Sequence, residues 1–354
     1  MAERVLSQRH LNRAVLARQL LLERARLPVA RALERIGGIQ NQYAPNAYIR
    51  LWSCLDGFER DQLDHGLRRR AVVQASLIRG TIHVVSARDF WPFAAGTRRA
   101  GRLWWERVHR RHSAQVDLDA AAAALRSFVA GTTRTRAEIV DLLRPFGPPS
   151  APPTLVWSGL GVDLVRVPPS GTWAKRRADL FALAEEWLGA GAATEDEGLE
   201  HLARRYFGAF GPATPDEVAD WAGVPRAFVQ PALERMRLRR FRDERGRELL
   251  DLPRAPLPDP DTPAPVRFLP TWDAVLLVHA RRTGVLPERY RPRIFTTKTP
   301  QSVGTFLVDG AVAGTWRYDG GRVVTQAFGR LSRTARHELN EEAERLAAFH
   351  ADDS

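Results

Sequence analysis

Thr214-Pro215-Asp216-Glu217-Val218-Ala219-Asp220-Trp221-Ala222-Gly223-Val224-Pro225-Arg226 reads as the heart of a helix-turn-helix. Thr214 stands where a helix cap is needed, proline follows at the first helical position, and Glu217 lies three residues past the cap. Ala222-Gly223-Val224-Pro225 then predicts a turn before a second helix over 226–236. Upstream, 197–208 has helical spacing; downstream, 238–242 and 248–252 pair as a hairpin across 243–247. Helices followed by a β-hairpin make a winged helix, a module that contacts DNA or protein, and the order alone does not choose between them.

The same order appears twice upstream. Segment 7–24 places Leu11, Ala14, Val15 and Leu22 at helical spacing, and a second helix from Pro28 to Ile36 stops at Gly37-Gly38. A third helix is predicted at 60–70, then strands over 72–78 and 81–85 around Arg79-Gly80, then a long helix from Ala87 to about Arg111. Beyond Asp117 the pattern predicts helices at 119–130 and from Thr135, whose Glu138 completes a capping box, and a loop at 145–153. Strands at 164–168 and 172–175 around Pro169-Ser170-Gly171 form the expected second wing, closed by a helix at 179–188. After the Pro-rich stretch 253–265 come strands near 267–270, 304–308, 311–317 and 322–328 and a helix over 331–350. With 354 residues, 44% of them hydrophobic, the chain is long enough for several cores. The expected fold is helix-rich α+β: three tandem winged-helix units (1–116, 117–192 and 193–254) and a β-rich C-terminal region (255–354).

The net charge of +12 is not spread evenly. Residues 1–116 hold 21 arginines and nine acidic side chains, whereas 117–354 hold 32 basic and 32 acidic ones. A local field of this sign attracts phosphate backbones or anionic membranes. No run of about 18 apolar residues occurs, so the expectation is a cytosolic protein with no membrane partner. Cys54 is the single cysteine, which leaves no intrachain disulfide, and Lys175 and Lys298 are the two lysines available for imine chemistry.

Gln40 and Gln42 flank Asn41 just past the glycine stop. In an extended segment, residues two apart project to one side, so both amides converge. A glutamine carbonyl orients water and favours developing positive charge, but it is no general base; the bland alternative is a pair of polar loop residues bonding the backbone. Arg79, Thr81 and His83 alternate along the first wing and would offer donors to a phosphate or a base edge. Arg98, Arg99, Arg102, Arg110 and Arg111, interleaved with Trp104 and Trp105, mark the long helix as a DNA-binding element, with at least one tryptophan needed for packing. His109 and His112 have metal-like spacing but lie among cations without a third ligand, and Asp273 reads as structural. No Walker loop, dinucleotide fingerprint or serine elbow is present, and neither metal nor cofactor is expected.

In Gly38-Ile39-Gln40-Asn41-Gln42, Arg79-Gly80-Thr81-Ile82-His83, Leu269-Pro270-Thr271-Trp272-Asp273 and Val308-Asp309-Gly310 with Gly314-Thr315-Trp316-Arg317, the chain resembles bacterial winged-helix DNA glycosylases of the AlkZ type. The resemblance implies tandem winged helices curved in a C-shape around duplex DNA, with Gln40 and Gln42 as the catalytic pair. It implies monofunctional hydrolysis of the N-glycosidic bond of bulky N7-alkylguanine adducts or crosslinks, as in self-resistance to genotoxic natural products. Asn41 departs from the usual aliphatic middle position, and Cys54 and Gln74 stand where relatives often carry arginine. Tandem wings remove the usual need to dimerise, so a monomer on alkylated duplex DNA is expected, with either the first wing or the segment 289–301 entering a groove. A non-catalytic winged-helix regulator and a protein-binding scaffold are the rival readings.

Overall fold

The computed structural model describes residues 4–277, 280–296 and 301–351. Strand β1 (Val5–Leu6) enters α1 (Gln8–Arg18), capped by Ser7, and α2 (Val29–Ile36) ends at Gly37, whose φ of +82° is the left-handed cap that glycine adopts without strain. There follow β2 (Ile39–Gln40), α3 (Pro45–Cys54), α4 (Arg60–Arg68), the hairpin β3 (Val72–Ser76) and β4 (Ile82–Ser86), and the long α5 (Ala87–Val108). The next stretch holds α6 (Leu118–Val129), β5 (Arg134–Thr135), α7 (Arg136–Leu143), α8 (Pro153–Gly159), β6 (Leu164–Arg166), β7 (Leu180–Leu183) and α9 (Ala184–Leu188). Then come α10 (Glu195–Phe210), α11 (Pro215–Ala222), α12 (Arg226–Arg235) and the hairpin β8 (Arg239–Asp243) and β9 (Glu248–Asp251). The remainder contains β10 (Arg267–Leu269), the short α13 (Ala280–Thr283) and α14 (Arg291–Ile294), and β11 (Phe295–Thr296) with β12 (Gln301–Ser302). It closes with β13 (Gly304–Val308), β14 (Ala311–Asp319), β15 (Arg322–Ala327) and α15 (Arg333–Ala351). The chain is a helix-rich α+β protein, as its sequence predicts.

Two local expectations fail in the second hairpin. Residues 172–175 form no strand, and the stretch expected as a helix from 179 begins as strand β7 before turning into α9. Leu180-Phe181-Ala182-Leu183 is a short apolar run whose spacing suits either state, and pairing on both sides decides it. Leu164 pairs with Leu183 across β6, and Arg134 with Phe181 across β5. The loop between β6 and β7 is organised by the buried Ser170, whose hydroxyl donates to the Arg177 carbonyl (2.8 Å) and accepts from the amides of Asp179 (2.7 Å) and Leu180 (3.1 Å). Helix α8, started by its own proline, was also not foreseen.

Pairing crosses the expected unit boundaries. The two hairpins join through β3 and β6, with Gln74 opposite Arg166 and Ala75 opposite Val165, in one sheet of order β2-β4-β3-β6-β7-β5. Strand β1 runs parallel to β8, setting Val5 beside Arg242, and so adds the N-terminus to the third hairpin. Helices α5 and α10 cross at Gly96 and Gly198, where a β-carbon on Gly198 would lie 2.4 Å from the Gly96 amide nitrogen. Only glycine permits that approach. Around the crossing Phe93, Tyr206, Phe210 and Trp221 are buried and in edge or tilted contact, with Trp221 5.5 Å from Tyr206 and 6.0 Å from Phe93. This packing brings the C-terminal end of α11 against the first hairpin. Arg18 and Asp251, both fully buried, form an ion pair at 2.7 Å between α1 and β9, so losing one partner alone costs about 3–5 kcal/mol.

Candidate active site and nucleic-acid interface

The left-handed cap at Gly37 ends α2 and turns the chain into β2, which lies antiparallel on β4 with Gln40 directly opposite His83. Asn41 is buried and supplies structure: its amide donates to the Ile82 carbonyl (2.7 Å), and its Oδ1 accepts from the Ala47 amide (3.1 Å), satisfying an orphan donor in the first turn of α3. Helix α3 has no side-chain cap at Ala44, so the departure from an aliphatic middle residue has a local cause. Gln42 is exposed and bends back to the same strand, its Oε1 accepting from the Ile82 amide at 3.1 Å. Both glutamine carbonyls are thereby tied to the start of β4 and its turn.

Arg79 does not alternate with Thr81 and His83 on one strand, because β3 stops at Ser76 and β4 begins at Ile82. It sits in the intervening turn in the left-handed region, φ 55° and ψ 23°. From there Nη2 donates to Gln40 Oε1 (3.0 Å), and Nη1 donates to the Trp221 carbonyl at the end of α11. The side chain keeps solvent access, but the protein packed around it lowers its pKa, and no carboxylate among the described residues offsets that desolvation. The carbonyl end of a helix, with its partial negative charge, is the compensating partner. Gly223, at φ +71°, makes room: a β-carbon there would lie 2.7 Å from Arg79 Cγ and 3.1 Å from its Cα.

Thr81 Oγ1 donates to the Ile78 carbonyl (3.0 Å), and His83 Nδ1 lies 3.0 Å from the Thr81 carbonyl. His83 is 3% exposed, and burial pushes its pKa down to about 3, so the imidazole is neutral and Nδ1 carries the proton in that contact. Neither side chain stands out as a free phosphate donor. They line and stiffen the strand that holds the glutamines.

The arginines of α5 lie elsewhere and already have partners. Arg98 pairs with Asp163 (2.6 Å), Arg99 approaches Glu195 (3.6 Å) and covers the Phe228 ring, and Arg102 pairs with Glu106 (2.8 Å). With a rise of about 1.5 Å per residue they fall about 18–24 Å along α5 from its start. Arg110 and Arg111 lie past its end, in a cavity of about 700 Å³ lined also by His109, His112 and Pro152. The structure therefore does not gather these arginines with the glutamines. Trp105 is buried, with Nε1 donating to the Leu155 carbonyl (2.8 Å), while Trp104 is 51% exposed. Among the described residues no group of three His, Cys, Asp or Glu side chains could hold a metal, and no helix is long and apolar enough to cross a membrane.

Asp273 is structural: Oδ1 accepts from the Val275 amide (2.9 Å), and the carboxylate pairs with the buried Arg50 at 2.8 Å. Cys54 is buried with its thiol pushed up by desolvation. Gln74 is buried, and its Nε2 has no hydrogen-bond partner among the described residues. Three participants were not foreseen: the Trp221 carbonyl, Tyr43, whose hydroxyl accepts from Arg176 (2.7 Å), and Arg166 on β6. The signals available were the run Lys175-Arg176-Arg177 and a lone charge inside the apolar stretch Leu164–Val167. The groove segment 289–301 falls in part, with Lys298, outside the described residues.

A neutral amide pair fixed at a sheet end, inside a basic helix-rich scaffold, is a site suited to chemistry on DNA. Residues 33–349 match the family described as DNA glycosylase AlkZ-like, and the chain belongs to that family. Among solved structures it is similar to the DNA glycosylase AlkZ of Streptomyces sahachiroi, at 18% identity, with a TM-score of 0.78 over 98% of this chain and 97% of that one. No curated protein matches it. The protein is thus a DNA glycosylase, and the regulator and scaffold readings are set aside.

Proposed function

We propose that this glycosylase removes N7-alkylguanine, including bulky or crosslinked adducts, and that Gln40 and Gln42 are its catalytic residues. The observation that carries this reading is the fixing of both amide oxygens on one strand end with no carboxylate bonded to either among the described residues. An N7-alkylated guanine is already cationic. Its glycosidic bond breaks toward a neutral base and an oxocarbenium-like sugar, so the site needs oriented dipoles and a placed water more than an acid. Each glutamine oxygen has one lone pair engaged by the protein and a second left for that water or for the sugar. Arg79, Thr81 and His83 act by holding this arrangement, and the α5 arginines, with Arg110 and Arg111, meet phosphates by exchanging or extending their present contacts. Helix α5, about 33 Å long, spans about one turn of duplex.

The reaction is monofunctional and the enzyme acts as a monomer. Lys175, next to Arg176 on the loop that reaches Tyr43, is the amine nearest the glutamine stretch in sequence-to-structure terms, and it is exposed. Incubation with a duplex carrying one N7-alkylguanine, with an enzyme-free control for spontaneous loss, tests the reading. Free alkylguanine should appear by mass spectrometry, strand breaks should require alkali, and borohydride should trap no covalent enzyme–DNA adduct. Retention of the lesion under saturating enzyme would overturn the substrate assignment; a borohydride adduct would overturn the monofunctional step.

A further inference from the structure

The α5 arginines have carboxylate partners, but a cationic group on the second hairpin does not. Arg166, the last residue of β6, donates from Nη2 to Ser76 Oγ (3.2 Å), and its guanidinium lies 5.0 Å from the centre of the Phe181 ring. Its Nε is buried with no hydrogen-bond partner among the described residues. The charged neighbour that bears on it is Arg136, a like charge at the start of α7, and burial together with Arg136 lowers the Arg166 pKa to about 10. Arg136 is exposed, and its guanidinium makes no hydrogen bond or ion pair among the described residues. From the loop that follows β6, Arg176 reaches Tyr43, the residue after Gln42. Two guanidiniums that face each other without an anion repel, and a phosphate between them removes the repulsion and satisfies the idle donors.

Position selects the ligand. Arg166 bonds Ser76, Ser76 is paired with Ile82, and the Ile82 amide holds Gln42, so one end of the sheet runs from β6 through β3 and β4 to β2. Three strand spacings of about 4.8 Å place Arg166 about 14 Å from β2. That is the rise of about four nucleotides at about 3.4 Å each. We propose that Arg166 and Arg136, assisted by Arg176, form a phosphate site that grips the DNA backbone about four nucleotides from the nucleotide held at Gln40 and Gln42. The spacing rests on the glutamines marking the reaction centre; the phosphate contact does not.

The test is the salt dependence of binding to undamaged duplex, which needs no lesion. For the wild type, Arg136→Gln, Arg136→Gln with Arg166→Gln, and the control Arg26→Gln, the slope of log affinity against log salt is measured. Each lost phosphate contact lowers the slope by about 0.9, so the double variant should lose about 2 and the single Arg136 variant about 1. Arg26, paired with Asp56 and 89% exposed, should leave the slope unchanged. A wild-type slope in the double variant, or an equal loss in the Arg26 variant, overturns the site. Arg136→Gln alone decides the matter if the double variant fails to fold. A failure of the catalytic reading would instead abolish no slope change, since excision is not read here.

Discussion

Arg79 holds the Gln40 carbonyl at 3.0 Å with one arm and the Trp221 carbonyl with the other, so a residue of the first hairpin joins the amide of β2 to the end of α11. This bridge fixes which way the Gln40 amide faces. An arginine can only donate, so Oε1 must point toward it and Nε2 away.

Replacing Arg79 by alanine should therefore act on turnover rather than on DNA affinity. Freed from its clamp, the Gln40 amide rotates, and misplacement of this kind lowers kcat on the order of 100-fold. Single-turnover excision compared with duplex affinity reads the split. A loss confined to affinity would make Arg79 a phosphate contact instead.

Gly223→Ala should reproduce part of that loss from a distance. The new β-carbon would press on Arg79 at 2.7 Å, at a φ that alanine rarely adopts, so destabilisation of about 1 kcal/mol or more is expected together with slower excision. Chemical denaturation and single-turnover kinetics measure the two effects. Full activity with lowered stability would show that the contact does not bear on the glutamines.

Neither glutamine titrates, and His83, held down to about pKa 3, stays neutral at any working pH. The single-turnover rate should be flat from about pH 6 to 9, because no group with a pKa in that range serves as base. A limb with unit slope inside the range would reveal a titrating catalyst.

His83 does titrate in the unfolded chain, near its ordinary value of about 6.5. Between that value and about 3 the unfolded state binds a proton that the folded state refuses, so its contribution is complete above about pH 6.5 and is lost as pH falls, at up to about 1.4 kcal/mol per unit. The only charge printed against it is Arg79, which pushes the same way. The stability difference between wild type and His83→Gln should narrow in favour of the variant as pH falls from 6.5 to 5, measured by denaturant melts. A constant difference would mean that the imidazole is charged in the fold.

What could be read in the sequence was what local chemistry fixes. Thr135, Thr194 and Thr214 each cap a helix with a glutamate three residues on, and Gly37 and Gly223 end helices in the left-handed conformation. What could not be read depends on distant partners. Leu180–Leu183 became a strand because β5 and β6 flank it, and the α5 arginines look free in a charge count although Asp163 and Glu195, from segments with no net charge, pair with two of them. The Gln40 clamp relies on a carbonyl 142 residues from Arg79.

The release rate of N7-alkylguanine by Gln40→Ala with Gln42→Ala, above spontaneous depurination and alongside duplex affinity, bears most directly on the amide pair as the catalytic centre. Excision should vanish into the spontaneous background while affinity stays within a few-fold of wild type. Release at the wild-type rate by a folded double variant would contradict it.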